Sequence, residues 1–157
     1  METVFVIGRR PLEIKAAFQR KLRLIQIDLF VSEAIDHIHQ QLSGIKLDYI
    51  IFSAATEMPL KWFCEITSEE YDNAFLLNLK IPFFLTKALL SNLNEGARLL
   101  FLTSRLSSSP EIGSVIYCMT KSAVEIFSAG LNKELGGKVL SCSVIPGVVD
   151  TEMQQRL

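Results

Sequence analysis

Tyr117 and Lys121, in the stretch "YCMTK", stand four residues apart within a segment of helical apolar spacing. A phenol whose ordinary pKa is about 10 is a poor acid or base at neutral pH. A cation one helical turn away on the same face stabilises the phenolate and lowers that pKa, making the phenol a usable proton donor or acceptor. Ser104 stands thirteen residues before Tyr117, at the end of an apolar run, where its hydroxyl can hold a carbonyl oxygen. The Tyr–x–x–x–Lys spacing alone describes many surface pairs. The strand-end serine at this interval makes it a candidate site for carbonyl reduction.

These residues need a scaffold, and the chain alternates strand and helix patterns. "TVFVIG" and "LRLIQIDL" are β-branched runs flanking the helically spaced "LEIKAAFQRK". From Ser32 to Leu42, apolar Ile35, Ile38 and Leu42 predict a helix capped by the serine and closed at Gly44. "LDYIIFSAA" is a nearly unbroken apolar strand, the pattern of a parallel sheet covered on both faces. "TSEE" is a capping box opening a long helix through "YDNAFLLNLKIPFFLTKALLSNL", which Pro82 should kink. "ARLLFLTS" follows as a strand, then "IYCMTKSAVEIFSAGLNKEL" as a helix ended by Gly136 and Gly137, then "KVLSCSVIPG" as the last strand. The alternation predicts an α/β, doubly wound parallel sheet with helices on both faces, in one domain over residues 1–157. Ligands bind such sheets beyond the carboxyl ends of the strands, here "SAA", "TSRLSSS" and "PGVVDT".

Composition narrows the classes. The 157 residues are 49% hydrophobic and carry 16 basic against 17 acidic side chains, a balance without an electrostatic footprint for nucleic acid or anionic membrane. Lys80, Pro82 and Lys87 interrupt the longest apolar run, and "TVFVI" is too short for a signal segment, so a cytoplasmic protein is expected. Cys64, Cys118 and Cys142 form no CxxC pair and read as buried free thiols. His37 and His39 read as a solvated helix face, and no metal site is expected. Trp62 and Phe63, just before the capping box, read as core packing ahead of a place at a substrate mouth.

From about Asp28 to Met153 the sequence resembles the short-chain dehydrogenase/reductase family. Ser104 and "YCMTK" match the family's serine and Tyr–x–x–x–Lys, and Asn78 falls where the family places a helix asparagine that anchors a proton-relay water. "PGVVDT" resembles its Pro–Gly–x–Val–x–Thr segment beside the nicotinamide, and Asp28–Leu29 takes the place of the acidic residue that binds adenine. "FSAA" stands for the usual Asn–Asn–Ala–Gly, keeping Ala54 and departing at Ser53 and Ala55. The close of the chain looks most like the sepiapterin and benzil reductase branch, which reduces vicinal dicarbonyls with NADPH. The resemblance implies a Rossmann-like fold and a small-molecule carbonyl substrate. It implies catalysis by Asn78, Ser104, Tyr117 and Lys121, and NADP as cofactor with NAD as the alternative. Cofactor contacts are implied for Arg9, Asp28, Leu29, Ser53, Ala54, Ala55, Tyr117, Lys121, Pro146, Gly147, Val149 and Thr151.

The sequence departs from the family at its start, because no second glycine occurs between Gly8 and Gly44 to form the phosphate turn. In one register "TVFVIGRR" is the second family strand, the first βα unit is absent, and Arg9 or Arg10 meets the 2′-phosphate of NADP. In the other, the same residues fill the first strand's place and Gly8 is a remnant of the turn. The first register leaves a gap in mid-sheet with hydrogen-bonding edges on both sides. The chain also stops at Leu157, soon after "PGVVDT", so the C-terminal lid is expected to be missing or supplied by a partner. An alternative follows: a shortened, non-catalytic paralogue acting as a binding or oligomerisation module. Met119, Val124, Ile126, Phe127 and Leu131 spread around several faces of the Tyr117 helix, which predicts a helix-mediated homodimer.

Overall fold

The computed structural model describes residues 3–10, 21–56 and 60–147. Among the described residues five strands, β1 (Val4–Gly8), β2 (Leu22–Gln26), β3 (Leu47–Phe52), β4 (Leu93–Leu102) and β5 (Val139–Val144), pair in parallel. They alternate with α1 (Ala34–Gln41), α2 (Ser68–Phe75), α3 (Ile81–Ala88) and α4 (Val115–Glu134).

The strands form two sheets, β1–β2 and β3–β4–β5, with no ladder joining them among the described residues. A doubly wound sheet places its first strand between the second and the fourth. A two-strand and a three-strand group with that position open match the register in which "TVFVIG" is the second strand. Had β1 filled the first strand's place, it would pair with β3; among the described residues it pairs with β2 alone. The two groups are held over one apolar layer. Ile25, Ile38, Leu42, Leu85 and Leu89 are buried together, with Phe5 and Ile7 from β1 and Ile50 and Phe52 from β3 packed against them.

The same Ile50 and Phe52 also touch a second cluster of Leu99, Phe101, Val124 and Val139. Phe52 and Phe101 stack with ring centroids 4.7 Å apart, and Phe127 meets Phe101 edge-on at 5.4 Å. Strand residues two apart share a face, so α1, α3 and α4 cover one face of the sheet. On the other face, Tyr49 and Ile51 of β3 and Leu140 of β5 are exposed. The segment "LEIKAAFQRK", expected as a helix, lies mostly outside the described residues.

Several local expectations hold for identifiable reasons. Thr67 Oγ1 accepts from the Glu70 amide at 3.2 Å while Glu70 Oε2 accepts from the Thr67 amide at 2.9 Å, closing the capping box. The long helix is divided: a π turn, Leu76–Lys80, separates α2 from α3, and the Ile81 amide reaches back five residues to the Leu76 carbonyl. Pro82 has no N–H for the Asn78 carbonyl four residues before it, so the proline disturbs the ladder where the π turn forms. Gly136 and Gly137, with φ of +57° and +79°, end α4.

Other expectations are corrected. Ser32 does not cap α1, whose cap position is Glu33 with no side-chain cap bond. Of the three cysteines only Cys118 is buried. Cys64 sits in an exposed turn, and Cys142 lies on the strand face that no described helix covers. Trp62 and Phe63 are 63% and 80% exposed rather than in the core, because the loop after β3 carries them away from both apolar clusters. His37 and His39 are solvated as expected.

Candidate functional site

α4 carries the chemistry. Its first turns rise from the loop after β4, so Tyr117 and Lys121 meet the carboxyl ends of the strands. Lys121 is only 5% exposed, and its Nζ donates to the Leu102 carbonyl at 2.8 Å at the end of β4. Burial disfavours the charged amine and pulls its pKa down to about 8. The same Nζ lies 5.5 Å from the centroid of the Tyr117 ring.

Tyr117 is half-buried, with the Ser104 side chain near its phenol. Burial pushes its pKa above the usual value, opposed by the Ser104 side chain; Cys118 adds to the rise. This reverses the expected direction. Lys121 is turned to a carbonyl and loses its proton near pH 8, below the range in which the phenol ionises, so loss of solvent around the phenol outweighs any help from the cation. Ser104 opens a short 3₁₀ turn, Arg105–Ser107, and its Oγ accepts from the Leu106 amide at 3.2 Å.

Asn78, at the centre of the π turn, is 3% exposed. Its Oδ1 accepts from the Thr56 amide at 2.9 Å just beyond β3, and its Nδ2 donates to Thr120 Oγ1 at 3.1 Å. Thr120 Oγ1 lies 2.9 Å from the Tyr117 carbonyl, to which it donates. A polar line thus runs from the end of β3 through Asn78 to the backbone of Tyr117. The sequence reading missed Thr120 and Thr56. Thr120 had a signal, being a hydroxyl between Tyr117 and Lys121 on an otherwise apolar helix; Thr56 Oγ1, buried with no hydrogen-bond partner, had none.

The structure brings Ser104, Tyr117, Lys121 and Asn78 together around α4. Arg9 is exposed just past β1, and its carbonyl accepts from Gln26 Nε2 at 3.2 Å. Asp28 is exposed just past β2, with Oδ1 accepting from the Phe30 amide at 3.0 Å, while Leu29 packs against the first apolar cluster. Ser53 and Ala54 are exposed and Ala55 half-buried after β3; Pro146 and Gly147 are exposed after β5. Val149 and Thr151 lie outside the described residues. All of the described positions stand at carboxyl ends of parallel strands, but Arg9 and Asp28 belong to the two-stranded group and share no hydrogen bond with the Tyr117 group. Among the described residues no cluster of His, Cys, Asp and Glu could hold a metal ion, and no helix is long and apolar enough to cross a membrane.

Several known proteins are similar to this chain in sequence or fold. A hydroxynaphthalene reductase-like protein of Metarhizium guizhouense is 28% identical over 148 residues, covering 93% of this chain and 52% of its own length. A short chain dehydrogenase family protein of Francisella tularensis superimposes with a TM-score of 0.89 at 23% identity, covering 98% of this chain and 62% of that one. A short chain dehydrogenase of Burkholderia cenocepacia, solved in complex with NADP, gives a TM-score of 0.78 at 25% identity over 87% of this chain and 57% of its own. The chain therefore spans about half the length of the curated relative and under two thirds of either solved chain. The family model for short chain dehydrogenases matches residues 4–157, and this protein belongs to the short chain dehydrogenase family.

Proposed function

We propose that this chain carries the proton-transfer site of an NADP-dependent carbonyl oxidoreductase that reduces a small carbonyl compound, of vicinal dicarbonyl type, to an alcohol. The observation that carries the reading is the buried Lys121, its Nζ 5.5 Å from the Tyr117 ring centroid and bonded to the end of β4, at the carboxyl ends of a parallel sheet. Family membership and the NADP held by the Burkholderia relative support the cofactor.

The residues present suit the nicotinamide-ribose half of such a cofactor. Lys121 uses one of its three donors on Leu102, leaving donors for ribose hydroxyls. By resemblance to the family, Asp28 would meet the adenine and Arg9 the 2′-phosphate. NADPH, when bound, supplies the hydride that the carbonyl carbon receives. Tyr117 is kept protonated by burial, which suits it to give its proton to the carbonyl oxygen as negative charge develops there. The Ser104 hydroxyl holds that oxygen. Lys121 in its charged form, held below about pH 8, stabilises the phenolate left behind until a proton returns. Asn78 and Thr120 fix the backbone of Tyr117 and the end of β3 relative to each other.

The division between β1–β2 and β3–β4–β5 favours a second reading, a binding or oligomerisation module that keeps these residues by descent. Five apolar side chains exposed on α3 and α4, Phe83, Phe84, Val115, Met119 and Ile126, support a second copy of this chain as the partner in either case. NADPH oxidation with benzil or another vicinal dicarbonyl, run beside Tyr117→Phe, tests the proposal. It expects turnover by the parent and a loss of at least about a hundredfold in the variant; equal turnover in both removes Tyr117 from the chemistry.

A further inference from the structure

We propose that Glu125 is a positioning residue, which through Ser107 clamps the turn bearing Ser104 onto the helix that bears Tyr117. The inference rests on the reading of Ser104 and Tyr117 as partners at one site. Glu125 stands one turn beyond Lys121 on α4 and is half-buried. Its Oε1 lies 2.5 Å from Ser107 Oγ, and the same hydroxyl lies 2.7 Å from the backbone carbonyl of Ser104. One serine proton therefore serves a carboxylate on α4 and the main chain of Ser104 at once.

A second serine works beside it. Ser122 Oγ lies 2.5 Å from the Ser107 carbonyl and 2.8 Å from the Cys118 carbonyl, bridging the same turn to the same helix. Besides these, Thr103 ties the start of the turn to β5, its amide donating to the Val144 carbonyl at 2.8 Å, and the Arg105 guanidinium pairs with Glu111 at the surface. Leu102 ends β4, and beyond Thr103 the chain enters a single 3₁₀ turn whose amides satisfy only local acceptors. A turn of three residues has no cooperative stability of its own. The position of Ser104 is therefore set by Thr103 on one side and by what grips Ser107 on the other, and the side-chain grips on Ser107 from outside the turn come from α4. A hydrogen bond to a carboxylate is about twice as strong as one between neutral groups, which makes Glu125 the dominant grip. Nothing in the sequence marked it: a glutamate on a long helix reads as a solvated face.

The test needs no turnover. With tyrosine labelled with ¹³C at Cζ, the chain gives three resonances, and Tyr117→Phe assigns that of Tyr117. Glu125→Ala should move the Tyr117 resonance toward its position in Ser104→Ala, and the double variant should match Ser104→Ala alone. Glu125→Gln, which keeps an acceptor for Ser107, should restore the parent position. Amide exchange at Leu106 and Ser107 should quicken roughly tenfold in Glu125→Ala, the effect of losing one hydrogen bond to a charged group. A Tyr117 resonance unmoved in a folded Glu125→Ala overturns the proposal. If that variant does not fold, Ser107→Ala is read in its place by the same criterion. Should the resonance move as expected while the parent shows no NADPH oxidation, the clamp stands and the catalytic reading falls.

Discussion

Replacing Lys121 by methionine should change how stability depends on pH. The amine is 5% exposed, and its pKa falls from 10.5 to about 8 on folding. A lysine with a depressed folded pKa binds its proton more weakly in the native than in the unfolded chain. Its burial penalty is therefore fully present below about pH 8 and fades as pH rises toward 10.5. From these two values the protonated unfolded state is favoured by about 3 kcal/mol at pH 7 and by about 2 kcal/mol at pH 9, a difference near 1.3 kcal/mol. Methionine keeps most of the stem and has no proton to bind. It also loses the bond to Leu102, but that loss contributes equally at both pH values. Urea unfolding followed by far-ultraviolet circular dichroism at the two pH values measures the slope directly. The parent should gain about 1.3 kcal/mol more than Lys121→Met between pH 7 and pH 9. Parallel pH dependence in the two proteins would refute the buried, proton-poor lysine.

Three further substitutions probe the frame. Gly113→Ala should destabilise by about 1–3 kcal/mol, since φ is +81° and a Cβ would lie 3.0 Å from the Lys61 backbone nitrogen; an unchanged melting temperature would show that the 60–62 loop yields. Asn78→Leu, similar in size, leaves the Thr56 amide without its acceptor and takes away the donor to Thr120 Oγ1, which keeps only its bond to the Tyr117 carbonyl, so a loss of at least about 2 kcal/mol is expected in denaturant titration. Thr67→Ala removes the capping box and should lower stability by about 1 kcal/mol with the denaturant slope unchanged.

Much of the sheet could be read from the sequence because its signals are local. Unbroken apolar runs such as "LDYIIF" mark a strand of a parallel sheet, although here Ile50 and Phe52 face the core while Tyr49 and Ile51 stand exposed on the face that no described helix covers. The Thr67–Glu70 box and the glycines after α4 mark helix ends by chemistry that acts within four residues. Tyr117, Lys121 and Ser104 were legible for a related reason: a helical turn and a strand end fix their spacing. What failed depended on the third dimension. The expectation that Lys121 would acidify Tyr117 took account of charge and distance but not of burial, which only the packed helix reveals. Trp62 was assigned to the core by its type, whereas its place on a loop leaves it exposed. The grip of Glu125 on Ser107 joins residues eighteen apart, through a turn whose path no periodicity specifies.

NADPH binding is the measurement closest to the central claim. In a fluorescence titration of the whole chain, with NADH alongside, the account predicts saturable binding of NADPH that Lys121→Met weakens at least about tenfold while that variant stays folded. It expects NADPH to bind more tightly than NADH if Arg9 meets the 2′-phosphate. Absence of binding by a folded parent, or equal binding by Lys121→Met, would contradict the account and leave the Tyr117 site as inherited residues on a protein-binding module.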